Sequence, residues 1–374
     1  MSKKQLFFVP IEPLEERYTG EWYRHFPQIF KERGYDVTVV DGDQRSASIT
    51  TGAFLDMNDT IIYKNSQMSK IAEMFKAKQI KAGAIFFIAD IEFWGIESLR
   101  LMSQLNKVPI KIFGFLHAAS YTIEDAFSVA ESYQKYTELG WLSACDAVFV
   151  GSAYHKRAVL ERRVMPLTPK EEWRQLADKI HNTGNPLFHY EETAEGWVKR
   201  NKLVITNRFD YEKRPNLSLQ FAYLLKKRNP TLEIVITTSR PEFRSNQQWL
   251  VDMARGMEAD GILTIEAGLS KRQYHSHLKQ ARVMLTNSIE ENFGYCIAEA
   301  MRYNCAPLMP NHCSHPEFVD DDQRYLFNNN DEVIPKAEAL LQRSMHDFTY
   351  QLDRFYRAPE AMINIMETSN EWHG

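Results

Sequence analysis

The stretch Thr286-Asn287-Ser288-Ile289-Glu290-Glu291-Asn292-Phe293-Gly294-Tyr295-Cys296-Ile297-Ala298-Glu299-Ala300-Met301 reads as the end of a buried strand, a polar loop, and a helix that begins close to Gly294. Free backbone N–H groups at such a helix start, together with the helix dipole, make a site for phosphate, and Gly294 lets the backbone approach an anion closely. Glu299 falls about a turn into the helix, where its carboxylate can accept hydrogen bonds from a ribose diol. Glu291 lies in the loop before the helix and can accept hydroxyls from a second ring. A phosphate between two carboxylates that grip hydroxyls describes a nucleotide-sugar. On spacing alone, two carboxylates eight apart are more often a solvated face.

The same strand–loop–helix unit recurs on both sides. Short apolar runs at 6–9, 37–40, 84–88, 110–115 and 147–150 read as strands buried on both faces of a parallel sheet. Between them lie helical patterns: Trp22, Phe26, Ile29 and Phe30 share one face, and Gly34 is placed as the cap that ends that helix. The alternation lapses between 162 and 200, where Pro166, Pro169, Gly184, Asn185-Pro186 and Gly196 punctuate a polar region with its own helix near 171–180. This reads as a domain boundary. Strands follow at 203–206, 234–237, 262–265, 283–286 and 306–309, with helices near 216–228, 270–280 and 294–303. From Asp331 the tail reads as helical, with Ala337, Leu340 and Leu341, then Phe348, Leu352 and Phe355, on one-sided spacing. The expected fold class is α/β, with two Rossmann-like, doubly wound domains at 1–190 and 191–345 facing a central cleft. Helices at 346–374 are expected to pack back on the first domain.

At 374 residues the chain is long enough for two cores without disulfide or metal staples. A hydrophobic content of 44% and a charged content of 25% exclude disordered, collagenous and coiled-coil classes. With 45 basic and 49 acidic residues the net charge is −4, so any polyanion contact must be local. Cys145, Cys296, Cys305 and Cys313 form no CxxC pair and read as small buried residues in a reducing cytosol. The apolar run at 6–9 is too short for a signal peptide, and no run approaches the roughly 18 apolar residues of a membrane span. A cytoplasmic protein is expected.

The pattern Glu291-x7-Glu299, running on through Ala300-Met301 to Pro307-Leu308 and His315-Pro316-Glu317, resembles the donor-site signature of the retaining GT-B glycosyltransferases that carry an E-x7-E motif. The resemblance implies that Glu291 contacts donor-sugar hydroxyls and Glu299 holds the ribose. It places the loop through Asn292, with the amides of Phe293, Gly294 and Tyr295, against sugar and phosphate. The chain departs from the family where Asn292 and Asn304 stand for glycines and Cys313-Ser314-His315 replaces a Gly-Gly. Asn tolerates positive φ, so both asparagines are expected to preserve the backbone. After the first strand of the second half, Arg208 and Lys213 stand five apart, as do the family's cations on the donor diphosphate. Fixed cations there stabilise the departing diphosphate without a metal.

In the first half the resemblance places His117, after the strand at 110–115, near the donor sugar and the reacting carbon. Its implied role is orientation through hydrogen bonding, which completes a catalytic set of His117, Glu291, Arg208 and Lys213. Retaining enzymes of this fold deliver the acceptor on the face from which the diphosphate leaves, with a donor phosphate oxygen assisting deprotonation. The loop at 10–20 has only Gly20 where the family has several glycines, and Arg17 and Tyr18 are its acceptor candidates. Asp90 is an acceptor contact or a helix cap. His155, Lys156, Arg157, Arg162 and Arg163 on one helix, and Lys70, Lys76, Lys78 and Lys81 on another, read as solvated faces before nucleic-acid contacts.

The run 295–318 also resembles glycosyltransferases that modify nucleic acid, of the queuosine-tRNA or phage-DNA type. The expected activity is transfer of a hexose or pentose from a nucleotide-sugar, UDP-sugar foremost, to an acceptor hydroxyl. That acceptor is a hydroxymethylated base in nucleic acid or, alternatively, a cell-envelope carbohydrate or small glycoside. The reading from another class is an inactive nucleotide-binding module. No metal or further cofactor is expected, and a phage-encoded protein would act in the host cytoplasm.

Overall fold

A computed structural model describes residues 3–14, 17–43, 56–123, 126–188, 198–343 and 346–369. The chain divides into two compact units, Met1–Phe188 with Phe355–Gly374, and His189–Arg354. The boundary expected at 190/191, and Gly196, lie outside the described residues.

In the first unit the order of elements is β1 (Gln5–Val9), α1 (Tyr18–Glu32), β2 (Asp36–Val39), α2 (Met57–Lys76), β3 (Ala84–Ile88), α3 (Ile96–Leu105), β4 (Ile110–Leu116), α4 (Glu131–Ala144) and β5 (Ala147–Val150). Then come α5 (Ala153–Val159), a π-helical turn (Leu160–Val164), α6 (Met165–Leu167), α7 (Lys170–Lys179) and β6 (Ile180–Asn182). All pairings are parallel and the strand order is β2-β1-β3-β4-β5-β6. Strand periodicity divides the apolar runs between two cores. Phe7, Val9, Phe86, Ile88, Ile112 and Val148 face one side, and Leu6, Phe8, Ile85, Phe87, Phe113 and Phe149 the other. The second core is closed by Trp22, Phe26 and Phe30 of α1. That helix ends at Gly34, whose φ of +99° matches the cap expected there.

In the second unit β7 (Lys202–Ile205), α8 (Pro215–Arg228), β8 (Glu233–Thr237), α9 (Gln248–Ala259), β9 (Thr264–Glu266), α10 (Lys271–Gln280) and β10 (Val283–Leu285) come first. They are followed by α11 (Tyr295–Arg302), β11 (Ala306–Pro310), α12 (His315–Phe318), β12 (Leu326–Phe327) and α13 (Val333–Leu341). The strand order is β12-β11-β10-β7-β8-β9, again parallel throughout. The chain moves outward from β7 through β8 to β9, then crosses to the other side of β7 to continue at β10. The loops after β7 and β10 therefore diverge at a topological switch point, where such sheets bind ligands.

The tail divides. α14 (Thr349–Tyr356) spans the boundary between the units, and α15 (Ala358–Thr368) buries Ala358, Met362, Ile363 and Met366 in the first unit's core. The expected stripe does not act as one: Phe348 packs on Tyr325 within the second unit, while Phe355 packs against Gly184 in the first. The region from 162 also differs from a plain linker. β6 is a sixth strand of the first sheet, three residues long and too short to leave an apolar run.

Candidate active site

In the second unit the switch point brings together the two segments that the sequence singled out. Lys213 Nζ lies 2.9 Å from Glu291 Oε2, a pair whose side chains are 15% and 17% exposed. Burial alone would raise the Glu291 carboxyl, but the adjacent Lys213 ammonium holds it below its ordinary value. Burial likewise opposes charge on Lys213, and Glu291 and Glu212 outweigh it and raise the amine. Both groups are charged near neutrality. Arg208 pairs with Glu212 and lies 3.8 Å from Asp210, so both expected phosphate cations are held in place by carboxylates.

Gly294 is the residue before α11 and has a φ of +95°. A Cβ there would come within 2.8 Å of Ile297 Cδ1 and 3.1 Å of Glu291 Cγ, so glycine is required both for conformation and for space beside Glu291. Phe293 is buried against Tyr295 and Phe318. Cys296, on the first turn of α11, donates its thiol to Asn207 Oδ1. Burial first, and then Glu291, push that thiol up to about 12, with Lys213 and Glu299 also in electrostatic range. The two glutamates thus flank one helical turn. Glu299 accepts from the Tyr274 hydroxyl at 3.1 Å and pairs with Lys271 at 3.3 Å.

Of the two substituted glycines, Asn304 takes the left-handed conformation at φ +54° as expected, whereas Asn292 is absent from the positive-φ residues. At Asn292 the backbone needs no glycine-like freedom, so tolerance of positive φ bears only on Asn304. Cys313 is left-handed too, at φ +55°. Its neighbour Ser314 donates from N to Glu291 O at 3.3 Å and from Oγ to Phe293 O at 3.2 Å, and Cys313 Sγ reaches Ile289 O at 3.8 Å. Sequence reasoning missed this clamp on the Glu291 loop because Ser314 carries no chemistry of its own.

It also missed Lys271 and Tyr274, whose i,i+3 spacing on α10 was the available signal. Arg240 was missed as well. It is buried, and its guanidinium is lowered first by burial, then supported by Asp210 and opposed by Arg244 and Arg208, so a second arginine loop meets the Arg208 segment.

In the first unit, His117 follows β4 directly, and its Nε2 meets Ala89 O at 2.9 Å. A carbonyl accepts, so Nε2 carries the proton and Nδ1 is the acceptor nitrogen of the neutral ring. Burial lowers its titration, while Asp90 opposes. The ring packs among Phe115, Trp22 and Tyr18, with centroids 4.7, 5.0 and 5.3 Å away.

Arg17 is the extended residue before α1, and Tyr18 opens that helix, so the expected loop ends three residues sooner than Gly20. Burial, then Asp90, raise the Tyr18 phenol. Asp90 pairs with Lys64 at 2.9 Å and accepts from Glu92 N at 3.1 Å; the residue before α3 is Gly95, so Asp90 is not its cap. The basic cluster is also corrected. His155 and Arg163 are buried, and Arg163 pairs with Glu138 and Glu131.

Residues 192–347 match the family described as Glycosyl transferases group 1. That stretch lies within the second unit. Three solved structures show the fold of the whole. TarM aligns with a TM-score of 0.58 at 14% identity over 82% of this chain and 58% of its own, so the chain spans less than two thirds of TarM's length. The lipopolysaccharide outer core galactosyltransferase WaaB aligns at 0.61 and 12% over 97% of this chain and 99% of its own. The catalytic domain of starch synthase IV from Arabidopsis thaliana, bound to ADP and acarbose, aligns at 0.64 and 9% over 99% and 100%. The fold is GT-B, with two Rossmann-like domains. Among the described residues no helix is long and apolar enough to cross a membrane, and no three His, Cys, Asp or Glu side chains are grouped as metal ligands.

Proposed function

We propose that the protein is a retaining glycosyltransferase that moves a sugar from a nucleotide-sugar to an acceptor hydroxyl. The observation that carries this reading is the Lys213–Glu291 pair at 2.9 Å, because it joins the loop expected to bind diphosphate to the loop expected to bind sugar. In the reaction the bond from the sugar's anomeric carbon to the diphosphate breaks, and the acceptor oxygen bonds to that carbon from the same face. The acceptor proton passes to a donor phosphate oxygen. Arg208 and Lys213 stabilise the charge that accumulates on the diphosphate, where fixed cations act most strongly. Glu291, kept ionised by Lys213, accepts sugar hydroxyls, Glu299 accepts the ribose, and Phe293, Gly294 and Tyr295 present amides. His117, neutral and fixed by Ala89 O, orients through Nδ1.

The acceptor we favour is a carbohydrate or small glycoside, in keeping with solved GT-B neighbours described as a galactosyltransferase of lipopolysaccharide and as a starch synthase. The burial of His155 and Arg163 weakens the basic helix as a nucleic-acid contact. Incubation with UDP-, ADP- and GDP-sugars, following release of nucleoside diphosphate, tests the reading. At least one donor should be hydrolysed slowly, and Lys213→Ala and Arg208→Ala should each lower that rate by about 100-fold or more. Turnover of no donor, or full rates in both variants, would refute it. Strongly salt-dependent binding to modified DNA or tRNA would move the acceptor to nucleic acid.

A further inference from the structure

A glutamate's terminal torsion is broad, so a carboxylate that must meet two hydroxyls at once has to be held by something. Glu299 is held by one helix. The start of α10 is fixed by a reciprocal cap in which Ser270 Oγ accepts from Gln273 N and Gln273 Oε1 accepts from Ser270 N at 2.9 Å. Lys271 and Tyr274 project from that fixed turn at i,i+3 spacing, and each takes a different oxygen of Glu299. Lys271 Nζ lies 3.3 Å from Oε1, and the Tyr274 hydroxyl donates to Oε2 at 3.1 Å. Each oxygen keeps a further acceptor position. The Glu299 and Lys271 side chains are 16% and 17% exposed, so the carboxylate is reachable by a ligand. Burial and Glu299 raise the Tyr274 phenol well above its ordinary value, which keeps it a donor at any working pH.

We propose that Tyr274 and Lys271 are positioning residues that aim both oxygens of Glu299 at the two ribose hydroxyls of a nucleotide, and so set a preference for ribonucleotides over 2′-deoxyribonucleotides. This rests on the reading of Glu299 as the ribose acceptor. A carboxylate fixed at both oxygens loses a whole partner when one hydroxyl is missing; a freely turning one adapts and discriminates less.

The test is isothermal titration of the full chain with UDP, ADP and GDP and with their 2′-deoxy counterparts. The wild type should bind one ribonucleotide about tenfold more tightly than its deoxy form, the size of one hydrogen bond to a charged group. Tyr274→Phe removes only a hydroxyl and should shrink that ratio to about twofold to threefold, chiefly by weakening the ribonucleotide. Lys271→Met should act in the same direction, and Lys271→Arg should restore the ratio. Tyr274→Phe and Lys271→Met proteins that melt with the wild type and keep its full ratio would overturn the proposal. If Glu299→Ala alone abolishes the ratio, the ribose reading stands and the positioning role falls. A wild type with no ribose preference overturns both.

Discussion

The Lys213 ammonium and the Glu291 carboxylate meet at 2.9 Å, although one follows β7 and the other follows β10, 78 residues later. Direct pairing of those two strands makes the contact local in space. Each partner titrates in the direction that keeps the other charged. Glu291 is lowered in the folded state, so its contribution to stability is complete above its unfolded value and is lost as pH falls through the folded one. Lys213 is raised, so its contribution is complete below its unfolded value and is lost as pH rises through the folded one. Glu291→Gln should therefore cost about 1–3 kcal/mol in urea unfolding at pH 7, less than a fully buried pair because both side chains keep some exposure. The cost should shrink toward both extremes of pH. A cost independent of pH would show that the pair contributes no charge.

Gly294→Ala should be disabling out of proportion to its size. The new methyl would stand 2.8 Å from Ile297 Cδ1 and 3.1 Å from Glu291 Cγ, on a residue with φ of +95°. Strain of this kind costs about 1–3 kcal/mol. Since the nearest movable group is the Glu291 side chain, donor turnover should fall further than the melting temperature suggests. Circular dichroism melting beside a donor-hydrolysis assay checks this; equal melting and equal turnover would show that the loop absorbs the methyl elsewhere.

His155 should make the first unit sensitive to acid. It is 1% exposed, and burial first, then His117 and Arg162, lower it to about 3. The unfolded ring takes a proton near pH 6.5 while the folded ring refuses it, so stability is complete above that pH and falls as pH drops toward the folded value. Between pH 7 and pH 5, His155→Gln should lose about 2 kcal/mol less than the wild type, at about 1.4 kcal/mol per pH unit below 6.5. Parallel urea titrations at the two pH values would decide it, and equal losses would place the acid sensitivity elsewhere.

How far the site could be read from sequence follows how far each residue's role depends on its neighbours in the chain. The buried strands were legible because β3 and β5 are apolar at every position and buried on both faces. The placement of Glu291, Gly294 and Glu299 about one helix start was legible because one loop and one helix turn carry them. The strand β6 was not, because three residues at a sheet edge need only one buried side chain, Ile180. Lys271, Tyr274 and Ser314 were not either, since each acts on residues 21 to 28 positions away and the contact exists only once the chain has folded. Arg163 was misread as solvated because the π-helical turn at Leu160–Val164 shifts its face inward, which a period of 3.6 residues does not anticipate.

Ser314 offers a separation between packing and function. It is 1% exposed and holds the carbonyls of Glu291 and Phe293, at 3.3 and 3.2 Å, from the segment Cys313-Ser314-His315. Ser314→Ala removes the hydroxyl bond to Phe293 O and should cost about 1 kcal/mol of stability. If that bond also sets the direction of the amides at Phe293 and Gly294, donor kcat/KM should fall about tenfold, since small misplacements of a binding group are expensive in rate. Cys313→Gly is the control. It relieves a side chain at φ +55°, so it should leave stability equal or slightly higher, and because Ser314 N and Oγ are untouched it should preserve donor kcat/KM. Loss of stability in Ser314→Ala with unchanged kcat/KM would make the clamp a packing element only. Loss of kcat/KM in Cys313→Gly would assign the loop's geometry to the Cys313 thiol and its contact with Ile289 O rather than to the serine.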